Sequence, residues 1–164
     1  MKLLANELKE IPAVKSVALC TEAPGSDHSY LKGIRYSNNA EDEKWAVNGK
    51  AIDDNYLSTF NLKLVAGRNI YASDTINQYI VNETVVKKLG LKSPQEIINK
   101  NITVDDITAP VVGVVKDFYD KSFRTGIDPV ALFPSYDYNE HFAVKISMQN
   151  NVNCNKNNYG KKKE

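Results

Sequence analysis

Cysteine is nearly absent from this chain: Cys20 and Cys154 are two in 164 residues. Two thiols so far apart, in dissimilar surroundings, make no disulfide framework and are read as unpaired. Histidine is as scarce. His28 and His141 each lack a second histidine or a cysteine at metal-ligand spacing, so no zinc site is expected. There is no charge excess either: 21 basic residues face 20 acidic ones, for a net charge of +1. That balance excludes the dense basic face on which nucleic-acid binding depends. No apolar run approaches the roughly 18 residues of a membrane span. Met1 is followed by a charged, helix-like segment in place of an apolar stretch, so no signal peptide is expected. Clustered glycines are missing too, and Gly67-Arg68-Asn69 and Leu89-Gly90 cannot cradle a pyrophosphate. What remains is 42% hydrophobic and 25% charged. A chain of this length can bury about 70% of its unfolded surface, in one domain or two small intertwined subdomains.

The periodicity alternates between helix and strand. Residues 3–11 carry a helical apolar stripe that Pro12 stops. Residues 14–19 alternate as a strand, and 21–29, with Pro24 and Gly25, form a loop. Strands are expected over 30–36 and over 45–52. Asp53 or Asp54 then caps a short helix over 55–60. A brief strand over 62–65 ends at Gly67, whose position needs a backbone angle other residues avoid. Residues 79–81 form a buried strand, and Asn82 begins a helix that Gly90 ends. Ser93-Pro94 opens another short helix through Ile98. Residues 102–104 and 110–115 make a hairpin with Asp105-Asp106 near the turn, although 106–109 is too irregular to fix the register. The β-branched run 111–115 should be the most buried strand. Strands over 129–134 and 142–146 close an α+β pattern of about eight short strands and three or four short helices. Six of the last fifteen residues are asparagine, so 150–164 is expected to be a disordered polar tail.

No catalytic constellation emerges. Ser26-Asp27-His28 holds the residue types of a hydrolase triad, but consecutive residues cannot converge as a triad must, and no G-x-S-x-G elbow is present. The carboxylate pairs Asp53-Asp54, Asp105-Asp106 and Asp117 with Asp120 lack the ligand set of a calcium loop. The first two pairs read as cap and turn residues. Tyr136, Tyr138 and Phe142 alternate beside a strand and read as a sheet face, with ligand or partner contact as the alternative. No catalytic, cofactor-binding or metal-ligating residue is assigned. A free-standing ligand- or peptide-binding module at those aromatics, and more remotely a hydrolase using Ser26 or a carboxylate pair, are the competing readings.

Three stretches in order, residues 47–70, 79–90 and 111–119 followed by Pro129, resemble the MacB-like periplasmic core domain of ABC transporter permeases, in the MacB/FtsX superfamily. The matching positions are Asp53, Tyr56, Phe60, Gly67 and Arg68; Asn82, Glu83, Leu89 and Gly90; and Gly113, Val114, Asp117, Phe118 and Pro129. The resemblance covers roughly residues 3 to 148. It implies mixed sheets with short helices, in a discontinuous Porter-like subdomain over 1–40 and 124–149 and an inserted Sabre-like subdomain over 41–123. It also implies a non-enzymatic, cofactor-free domain at the periplasmic face of the bacterial inner membrane, coupling cytoplasmic ATP hydrolysis to extracytoplasmic work. The implied partners are a second permease protomer, a cytoplasmic ATPase subunit or domain reached through a transmembrane part, and a periplasmic adaptor or substrate protein. Two departures stand out. Asn99 replaces the usual glycine of an Ile-Gly-Lys turn, where asparagine tolerates left-handed angles. The asparagine-rich tail stands where an amphipathic helix is expected, and a first strand upstream of Leu3 is missing.

Overall fold

The computed structural model describes residues 2–26, 28–37, 41–121, 126–135 and 141–147. The polar tail lies outside them. Helix α1 (Lys2–Lys9) packs on β1 (Val14–Cys20). The stretch expected as one strand over 30–36 is two, β2 (Leu31–Lys32) and β3 (Ile34–Tyr36), broken at Gly33. They part because β2 pairs with β4 (Val47–Ile52), whereas β3 pairs with β7 (Asn101–Val104). After β4 come α2 (Tyr56–Thr59), β5 (Leu64–Gly67), β6 (Tyr79–Asn82), α3 (Glu83–Lys88) and a single 3₁₀ turn, Pro94–Ile97. Then follow β7, β8 (Ile107–Val115), β9 (Val130–Pro134) and β10 (His141–Ile146). The described residues thus form ten strands, two more than the sequence pattern implies, in an α+β architecture with a mixed sheet.

The strand order is β10-β1-β4-β9-β6-β8-β7-β3, with β2 on β4 and β5 on β8. Pairs β4–β9 and β6–β8 run parallel and the others antiparallel. Burial on both faces explains the apolar runs. Tyr79, Val81, Ala131 and Phe133 point into one core beneath α3 and the 3₁₀ turn. Ile80, Val130 and Leu132 point into a second, filled by Tyr56, Leu57 and Ile70. Residues 111–115 are buried throughout, as expected, and they share full burial with β4, β6 and β9.

Strand β8 carries a bulge. Tyr79 pairs with Val111 and Ile80 with Gly113, so Val112 has no partner on β6. The extra residue reverses the side-chain alternation. Val111 and Val114 therefore both enter the first core, while Val112 and Val115 enter the second. At its other end β8 turns back on β7 through Asp105 and Asp106, at φ 52° and 68°. Two positive φ values across a two-residue loop define the turn that matches strand twist, and aspartate tolerates them better than most residues. The register left open by residues 106–109 places Ile107 opposite Val104.

Candidate functional site

The family-pattern positions meet in three groups around the sheet. In the first, Asn82 caps α3 by accepting the Val85 amide at 3.3 Å. The same side-chain oxygen accepts the Val130 amide at 3.1 Å, and the side-chain NH₂ donates to the Asp128 carbonyl at 2.8 Å. One asparagine thus anchors the helix and aligns β9 beside β6. Next to it, Asp117 accepts the Thr84 amide at 2.7 Å, the Thr84 hydroxyl at 3.0 Å and the Lys87 ammonium at 2.9 Å. Glu83 returns the bond by accepting the Asp117 amide at 3.0 Å. This hydrogen bond to Asp117 holds the Lys87 ammonium's pKa above its usual value. Leu89 is the C-cap and packs on the first core, and Gly90 follows at φ 71°, the left-handed angle that ends the helix. Phe118 packs against the second core.

The second group is a backbone crossing. Gly67 sits at φ 70°, and a Cβ there would collide with the Val112 carbonyl oxygen and lie 2.9 Å from the Gly113 Cα. A Cβ on Gly113 would strike the Arg68 carbonyl oxygen and lie 3.1 Å from Leu64. The two glycines allow β5 to close on β8 at the bulge, where Val114 is fully buried. Arg68 extends outward, donating to the Asn69 carbonyl at 2.8 Å and Gln78 at 3.0 Å, with its guanidinium 4.1 Å from the Tyr71 ring centroid.

The third group surrounds α2. Asp53 is not the cap residue, and Asp54 is not either: Asn55 occupies that place in helical conformation without a capping side-chain bond. Asp53 instead accepts the Asn55 amide at 3.1 Å and its side-chain NH₂ at 3.2 Å. Burial raises the Asp53 carboxyl above the usual carboxylate range, against the lowering effect of its hydrogen bonds. Tyr56 donates to the Glu22 carbonyl at 3.1 Å and stacks at 58° on Phe60, ring centroids 4.8 Å apart. The Pro129 carbonyl accepts the Asn48 amide at 2.8 Å.

One group has no counterpart in the sequence pattern. The Lys50 ammonium pairs with the Asp120 carboxylate, both side chains 0% exposed. Asn48 donates to the other Asp120 oxygen at 2.5 Å and accepts the Tyr30 amide at 2.8 Å. Lys50 also reaches the Ala23 carbonyl at 3.4 Å, and the Asp120 carbonyl accepts the Gly25 amide at 3.0 Å. This buried charge pair pins the loop 21–25 and the segment after β8 to β4. A lysine and an asparagine inside an otherwise apolar strand were the only available signal.

The remaining candidates stay apart. The Ser26 hydroxyl accepts the His28 amide at 3.2 Å, while the His28 imidazole lies against Glu22; Asp27 lies outside the described residues. His28 and His141, a hundred positions apart in sequence, both approach Glu22, at 3.4 and 3.9 Å. Among the described residues no group of three or more His, Cys, Asp or Glu side chains could hold a metal ion. Ser93 makes no capping bond to the 3₁₀ turn; its hydroxyl donates to Glu96 at 3.4 Å. Asn99 takes φ 62°, the angle expected of the residue replacing a turn glycine. Cys20 is buried, and desolvation pushes its thiol up to about 12. Phe142 lies on β10 opposite Leu19, whereas Tyr136, Tyr138 and Cys154 fall outside the described residues.

Caps, a glycine crossing and a buried ion pair define a structural α+β domain whose distinguishing residues hold strands and helices together. Residues 2–155 match the model of one family, and the chain belongs to the family of MacB-like periplasmic core domains. That family is the extracytoplasmic core domain of ABC transporter permeases, which is not an enzyme class. The fold is similar to the periplasmic region of MacB from Actinobacillus actinomycetemcomitans, at 18% identity and TM-score 0.63, over 90% of this chain and 65% of that one. It is also similar to the extracellular domain of the noncanonic ABC-type transporter YknZ from Gram-positive bacteria, at 18% identity and TM-score 0.60, covering 88% of this chain and 72% of that one. A domain of a putative permease protein from Porphyromonas gingivalis shares 16% identity at TM-score 0.57, over 80% of this chain and 55% of that one. The chain therefore spans less than two thirds of the length of the MacB region it matches. No curated protein matches the sequence. No helix among the described residues is long and apolar enough to cross a membrane.

Proposed function

We propose that this domain is the mechanical, non-enzymatic part of its permease, coupling cytoplasmic ATP hydrolysis to extracytoplasmic work through conformational change and protein contacts. The observation that carries the reading is the family match over residues 2–155. The local chemistry supports it, because the family-pattern residues work as caps, close approaches and packing anchors, roles that transmit force without turning over a substrate. The discontinuous division, 1–40 with 124–149 against 41–123, accompanies this proposal. The antiparallel pairing of β1 with β10 supports it by joining the first part of the chain to the last. Contacts with a second protomer, an ATPase and an extracytoplasmic adaptor or substrate protein complete the reading. Exposed apolar residues favour such contacts: Leu3 is 74% exposed on α1, and Ile146 is 50% exposed on β10. The test is the reading frame around this chain. Apolar spans of about 20 residues on either side are expected, and their absence would overturn the proposal.

A further inference from the structure

A cavity of about 180 Å³ opens where the two arms of the sheet diverge, between the β2–β4–β9 side and the β7–β8 turn. Its wall is apolar: Ile76, Tyr79, Val104, Ile107 and Phe133, with Gly49 on β4 contributing no side chain. Natural cores hold few voids larger than a water molecule, because close packing is what stabilises them. Two polar groups along the wall are already engaged. The Tyr79 hydroxyl donates to the Ile107 carbonyl at 3.1 Å, and the Thr21 hydroxyl oxygen accepts the Ala51 amide at 3.1 Å. A cavity of roughly 150 Å³ lined by leucine, isoleucine and phenylalanine accepts benzene, so this one has room for a single ring.

The mouth has a different chemistry. Lys32 on β2 meets Asp105 of the β7–β8 turn at 2.5 Å, so one ion pair spans the two arms. Gly49 makes that reach feasible. Its φ requires no glycine, but a Cβ there would lie 2.7 Å from the Lys32 Cδ and 3.3 Å from the Phe133 ring. The lysine stem therefore lies across the glycine and delivers its ammonium to the rim. Lys32 and Asp105 side chains are 29% and 61% exposed, so both remain open to a ligand's polar end. We infer that this cavity is a binding site for a small molecule with one apolar ring and a polar end. The ring enters the pocket lined by Ile76, Val104, Ile107 and Phe133, and the polar end meets Lys32 and Asp105.

The test is methyl and amide NMR titration of the 164-residue chain with toluene, benzyl alcohol and a heptapeptide carrying a central phenylalanine. Expected are saturable shifts at Ile76, Val104 and Ile107, benzyl alcohol binding at least as tightly as toluene, and the peptide binding at least tenfold more weakly. Lys32→Ala should weaken benzyl alcohol several-fold while leaving toluene unchanged. Val104→Phe should abolish binding by filling the pocket. Should that variant not fold, Ile107→Trp at the half-open rim fills the same space. Absence of saturable shifts with every probe would overturn the inference. So would shifts that persist in a cooperatively melting Ile107→Trp variant. Binding of the peptide alone would make the cavity a polypeptide docking pocket and refute the small-molecule assignment.

Discussion

At Gly113 the requirement for glycine is steric, not conformational, since the obstacle is the Arg68 carbonyl oxygen just past the neighbouring strand β5. Gly113→Ala should therefore cost about 2 kcal/mol or more, read as a lower urea midpoint at constant slope. An unchanged midpoint would mean the crossing relaxes freely. Asp53 makes a prediction of the opposite kind. Its native carboxyl titrates above the usual range because burial penalises the charge. Between the unfolded value near about 3.9 and the raised native one, the folded chain holds more protons than the unfolded chain. Stability contributed by this group therefore falls as pH rises through that window. Asp53→Asn should remove the dependence, gaining on the parent as pH goes from 3.5 to 7 in paired denaturant melts. A pH-independent difference would contradict the assignment. Residues of this kind were partly legible. Asn82, Gly90 and Asn99 announce themselves because caps and left-handed turns favour those side chains locally. Lys50 and Asp120 were not, since their partnership spans 70 positions and no local period records it.

Helix α3 has six residues, too few to persist alone, and it is held by groups that arrive from beyond β8. Asp117 supplies bonds to the amide and hydroxyl of Thr84. Asp117→Ala should destabilise the domain by about 1–2 kcal/mol and selectively speed hydrogen exchange at Thr84. Native protection there would show that tertiary packing alone orders the first turn. Strand positions were legible from β-branched runs, but strand boundaries were not. The 30–36 stretch reads as one strand, yet β2 and β3 serve different arms of the sheet. The β8 bulge was readable in principle, because a lone glycine inside a β-branched run marks a bulge or a close approach. Gly113 is both.

Across the whole molecule, long-range pairings decide the fold. Parallel β4–β9 pairs Asn48 with Val130, half the chain apart, and no sequence period encodes such a choice. The Lys50–Asp120 pair adds a second long-range tie, from β4 to the segment after β8. Asp120→Ala should cost about 3–5 kcal/mol by leaving a buried lysine unpaired, and adding Lys50→Met should recover most of the loss. Thermal melts of the parent and the two variants check this; equal destabilisation of single and double variants would contradict it. A junction braced in this way suits a domain that moves as a body. The most direct test of the proposed coupling places a spin label at exposed Ala72 in both protomers of the proposed permease dimer, reconstituted in liposomes with the proposed ATPase. Pulsed electron–electron distances are then compared between ADP and ATP–vanadate states. Mechanical coupling requires the inter-protomer distance distribution to shift with nucleotide. An identical distribution in both states, while ATP is being hydrolysed normally, would contradict it.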